Sequence, residues 1–137
     1  MQVSQGPWYV RLIVVLAATI AGCGGGSAAA PRSVEQLSIE QVGLLFRAYK
    51  KGQHPPPKNL KELLPLEQGY PAAVAALRQK EVVVFWGAGL ADGSEAATTV
   101  LAYHKQVPET GGEVLMRDGT ARTMTAEEFK AAPKAGK

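Results

Sequence analysis

The chain has 137 residues, a formal net charge of +3 and a single cysteine. Its basic and acidic residues are interspersed, with no Lys/Arg stripe and no interleaved aromatics, which argues against a nucleic-acid surface. One cysteine excludes an internal disulfide, so packing alone has to stabilise the fold.

The first element is the apolar run from Leu12 to Cys23. Arg11 is the only charged side chain before it, and the small residues Ala21 and Gly22 close it. This is the order of an export signal: a basic start, an apolar core, then a small-residue cleavage site. The run is too short to span a bilayer, which takes roughly 20 apolar residues for ~30 Å of hydrocarbon. Ile20-Ala21-Gly22-Cys23 resembles the lipobox of bacterial lipoproteins. The resemblance implies cleavage before Cys23 and lipidation of its sulfur. It also implies an extracytoplasmic domain whose first partner is the membrane, held by lipid on Cys23. Stable anchoring takes more than one acyl chain. Gly24, in place of the aspartate that marks inner-membrane retention, favours the outer membrane of a two-membrane cell.

Removing residues 1–22 leaves about 115 residues, enough for one domain with a modest core. Residues 23–32 are rich in Gly, Ala and Ser and read as a flexible tether; residues 33–131 read as the domain. Ser33-Val-Glu-Gln36 and Ser38-Ile-Glu-Gln41 both fit a capping box, so a helix starts at one of them. Ile39, Val42, Phe46 and Tyr49 then recur at helical spacing as far as Lys51-Gly52. His54 and Pro55 to Pro57 form an extended connector. Asn59 to Leu64 reads as a short helix stopped by Pro65, and Tyr70-Pro71 opens another that runs to Gln79.

Glu81 to Trp86 is β-branched and aromatic, the pattern of a strand buried on both faces. Gly87 to Gly93 follows as a loop between antiparallel strands. Its glycine spacing misses the dinucleotide fingerprint, and no periodic helix follows it. Thr98 to His104 is a second strand and Lys105 to Gly112 a turn region. Glu113 to Arg117 and Thr120 to Met124 flank Asp118-Gly119, which predicts a hairpin with a type I′ turn. Thr125-Ala-Glu-Glu128 is a capping box for a short terminal helix, with Phe129 folding back. Residues 132–137 read as a disordered polar tail.

Chemistry-bearing residues are sparse. Ser94, His104 and Asp118 could form a triad only by folding together, and Ser94 lacks the glycines of a nucleophile elbow. Two histidines and no cysteine beyond Cys23 argue against a zinc site, and no cofactor motif is present. Trp86 and Tyr103, with the Gly87–Gly93 loop, are the residues placed to line a ligand pocket.

Leu101-Ala-Tyr103, Val107-Pro108, Gly111 to Thr120 and Glu127-Glu-Phe129 resemble the C-terminal part of small pseudopilin-like exported proteins of planctomycete bacteria. Tyr49, Pro55 and Leu60 to Leu64 resemble the early part of such a domain. The resemblance implies a helix packed on a small antiparallel sheet. It carries no catalytic residue, and the lipobox replaces the long apolar helix of pilins. The expectation is therefore an α+β domain: an N-terminal amphipathic helix and two short helices on about four antiparallel strands, then a short C-terminal helix. Its expected role is that of a non-enzymatic envelope protein, structural or bound to a protein partner. The alternative is a small-ligand-binding lipoprotein with its pocket near Trp86.

Overall fold

The computed structural model describes residues 31–136. Ile20, Ala21, Gly22 and Cys23 lie outside them, as does most of the expected tether. The domain is α+β, as expected: a long helix α1 (Val34–Lys51), a 3-10 helix (Leu60–Leu66), α2 (Pro71–Arg78), and a four-stranded antiparallel sheet. The strands are β1 (Val82–Val84), β2 (Val100–His104), β3 (Gly112–Met116) and β4 (Ala121–Met124), in chain order across the sheet. Short helices α3 (Ser94–Thr98) and α4 (Val107–Thr110) precede β2 and β3, and α5 (Ala126–Ala131) follows β4.

Of the two candidate starts, Ser33 is the one used, as a simple N-cap: its Oγ accepts the Gln36 N–H at 3.1 Å, while the Gln36 side chain donates to Glu40 and completes no capping box. Ser38 lies inside α1 and donates instead to the Val34 carbonyl at 2.9 Å. Ile39, Val42, Leu45 and Phe46 are buried against one face of the sheet, together with Val82, Val84, Ala102 and Leu115. Full burial of Phe46 contributes roughly 1.5–3 kcal/mol. The other face carries a second core of Val100, Val107, Val114, Met116, Met124 and Phe129. β3 alternates cleanly between the cores, Val114 and Met116 to one and Leu115 to the other. β2 does not: Leu101 and Ala102 both join the first core, and the register shifts between Val100 and Ala102. An extra residue in one strand is what a bulge supplies, and here it turns two successive side chains to one side.

Several expectations need correction. Pro65 does not stop the second helix; it lies inside the 3-10 helix, which Asn59 caps and which buries Leu63. The first strand is shorter than Glu81 to Trp86 and is an edge strand, with Val83 only half-buried. Phe85 still bonds to β2 through its N–H, but the chain then leaves the sheet, and the Gly87 N–H goes to the Pro57 carbonyl at 2.9 Å. At the hairpin only Gly119 has positive φ, +88°, so the turn is not type I′. The Met116 N–H bonds to the Thr120 carbonyl and the Gly119 N–H to the Met116 carbonyl. That is a three-residue loop with glycine at its left-handed bulge.

The capping box of α5 forms as expected, between Thr125 and Glu128. The residues after it are not a free tail. The Val100 N–H bonds to the Pro133 carbonyl and the Ala135 N–H to the Val100 carbonyl, both at 2.8 Å, and Ala135 is buried. Lys134 reaches back to the Phe129 and Ala132 carbonyls and lies over the Phe129 ring. A lysine there satisfies carbonyls that the end of a helix leaves unpaired.

Candidate functional site

Trp86 and Tyr103 do not share a pocket. Tyr103 packs between Phe85 and Phe129, with ring centroids 5.7 and 4.7 Å away, beside the second core. Trp86 packs beside the first core, its ring stacked on Phe46 at 6.4 Å. It lines a groove of about 400 Å³ that runs along β1, with Leu60, Leu77, Arg78 and Lys80 as the facing wall.

The backbone of β1 gives this groove its chemistry. Lys105 donates to the Glu81 carbonyl at 2.8 Å and Phe85 to the Leu101 carbonyl at 3.0 Å. Val83 is paired with Tyr103 between them. Successive residues of a strand turn their N–H and C=O groups to opposite sides, so those of Val82 and Val84 point away from β2. Among the described residues no hydrogen bond uses them. The groove therefore borders a strand edge with two outward N–H and two outward C=O groups, at residues only 3 % and 7 % exposed, and is walled by Leu60, Leu77 and Trp86 with Arg78 and Lys80 beside them.

Its basic rim comes from the end of α2. The Glu81 N–H bonds to the Ala76 carbonyl and the Lys80 N–H to the Leu77 carbonyl. This is the Schellman arrangement, which normally ends on glycine because its last residue is left-handed. Here that residue is Lys80, with φ +57°. Arg78 is ion-paired with Glu67 at 3.0 Å, whereas among the described residues Lys80 has no ion pair. A left-handed residue thus places a lysine that has no ion pair among the described residues beside this edge. Sequence reasoning found Trp86 but missed Val82, Val84, Leu77 and Lys80. Edge position is a property of topology, and no residue type announces it.

The conceivable triad is not assembled. Ser94 is exposed at the start of α3, and His104 is buried at the end of β2 with no partner for Nδ1. Asp118 accepts from the Thr120 N–H and hydroxyl inside its own turn. No hydrogen bond links these three side chains among the described residues. There too, no group of three or more His, Cys, Asp or Glu is placed to hold a metal ion, and no helix is long and apolar enough to cross a membrane. The chain matches no protein-family model, no curated protein and no solved structure.

Proposed function

We propose that the chain is a lipid-anchored envelope protein, tethered outside the cytoplasm through Cys23, that holds a protein partner without catalysis. The partner supplies an extended segment that adds to β1 as a fifth strand, the mode called β-augmentation. The observation that carries this reading is the unpaired edge at Val82 and Val84 beside the groove under Trp86. Main-chain hydrogen bonds provide the affinity. Alternate side chains of the segment meet Leu60, Leu77 and Trp86, and Lys80 favours an acidic residue among them. The lipobox resemblance of Ile20 to Cys23 supports the anchor, and the small residues after Cys23 support a tether long enough for the domain to reach its partner.

Two measurements test the two halves of this reading. Fatty-acid labelling of cells should mark the wild-type chain and not Cys23→Ser; equal labelling would overturn the anchor. A photo-crosslinking residue at position 83, which lines the groove, should give a discrete adduct in intact cells that is absent from position 127, on α5. Val84→Pro, which removes an outward N–H, should abolish that adduct while leaving the circular-dichroism spectrum intact. An adduct that survives Val84→Pro in a folded protein would remove the strand-addition mode.

A further inference from the structure

A different observation concerns the cavity between the end of α1 and the 3-10 helix. It measures about 370 Å³ and is lined by Tyr49, His54 and Glu62, with Ala48, Pro65 and Leu66 as apolar wall. The chain builds it with two local devices. Gly52 lets the imidazole come this close: a Cβ there would lie 2.7 Å from the His54 ring and push it aside. Gln53 takes a left-handed φ of +57°. Together they fold the imidazole back against Tyr49, with ring centroids 5.0 Å apart and planes tilted by 33°.

The carboxylate is fixed as well. Glu62 Oε2 accepts the Lys58 N–H at 3.0 Å and the Tyr49 hydroxyl at 3.4 Å. Oε1 has no partner among the described residues. Glu62 is the one carboxylate in the lining, and no lysine or arginine lines it. An aromatic face attracts a cation through its quadrupole, and a carboxylate accepts a charge-assisted hydrogen bond. An anion would meet like charge here, and a metal ion would lack ligands.

We propose that this cavity binds an organic cation, an alkylammonium or guanidinium group, over the Tyr49 ring with its N–H donated to Glu62 Oε1. Two sources carry that chemistry: a basic side chain of a peptide, and the amine of a phospholipid head group. The site is independent of the β1 groove, and either could exist without the other.

The test uses the full chain in detergent micelles, titrated by NMR with N-acetyl-lysine methylamide, glycerophosphoethanolamine and the uncharged N-acetyl-norleucine methylamide. Saturable shifts at Tyr49 and Glu62 are expected with a cation and not with norleucine. Glu62→Gln should weaken binding about tenfold or more. Tyr49→Phe, which keeps the ring, should stay within about threefold of wild type. Tyr49→Leu should lose binding, and it serves as the deciding variant if Glu62→Gln fails to fold. Response to the lysine derivative alone assigns the site to a peptide, and response to the head group alone assigns it to a lipid. No saturable binding of either cation, equal binding of norleucine, or a folded variant of Glu62 that binds like wild type would overturn the proposal.

Discussion

The Arg47 guanidinium donates to the Gly119 carbonyl at 3.0 Å, joining α1 to the tip of the β3–β4 hairpin. The contact depends on the turn, because Gly119 adopts φ +88° and a Cβ there would approach Arg47 Nε to 2.9 Å. Arg47 is exposed and its end can move, so the backbone is the harder constraint.

Gly119→Val should therefore lower stability by about 2 kcal/mol, the cost of forcing a β-branched residue into the left-handed region. Urea unfolding measures this, and an unchanged midpoint would mean that the hairpin turns elsewhere.

Lys80→Gly should act in the opposite direction. Glycine at the left-handed end of a Schellman motif removes a strain of about 1 kcal/mol, so the variant should unfold at higher urea than wild type. Its photo-adduct yield, measured with the crosslinking residue at position 83, should fall with the loss of the positive charge. A residue that costs stability and raises binding is what a functional rim requires; a variant that is both more stable and equally adhesive would reduce Lys80 to a surface lysine.

Truncation after Ala132 should destabilise the domain by about 2–3 kcal/mol, since it strips the two backbone hydrogen bonds of Val100 at roughly 1 kcal/mol each and uncovers that residue. The same deletion would be neutral for a dangling tail. Differential scanning calorimetry distinguishes the two outcomes.

Tyr49 should ionise late. Desolvation, then the negative charge and hydrogen bond of Glu62, raise its phenol above the ordinary 10.0. Below that pH the folded and unfolded chains both hold the proton, and stability is unaffected. Above it the unfolded chain loses the proton first, so stability falls as pH climbs through the raised value and then levels off. The phenolate absorbance difference between wild type and Tyr49→Phe locates the midpoint. Glu62→Gln should bring it only part of the way back, because desolvation is the largest cause. A midpoint at or below 10.0 would contradict the geometry.

What could be read from the sequence was local chemistry. The Thr125 capping box, proline at the start of α2 and the Asp118-Gly119 hairpin each depend on neighbours a few residues away, and each formed, although the hairpin chose a different turn type. The buried face of α1 was legible too, because Ile39, Val42 and Phe46 repeat at helical spacing. Non-local outcomes were not. Nothing in Pro133-Lys134-Ala135 announces that it will pair with Val100, and nothing in a run of three valines tells an edge from a centre. The helices α3 and α4 are too short to show a period. Tyr103 and Trp86 looked like companions because both are aromatic and lie near β1, yet they lie beside different cores.

The order of the strands bears on how the molecule is born. Each strand lies beside its predecessor in the chain, so the four-stranded sheet closes by local pairings that remove little entropy, while the bridge from Val100 to Lys134 waits for the C-terminal residues. A chain that emerges as an extended thread can begin assembling its hairpins at once. Such speed shortens the interval in which the unpaired side of Val82 and Val84 could zip onto a sister chain.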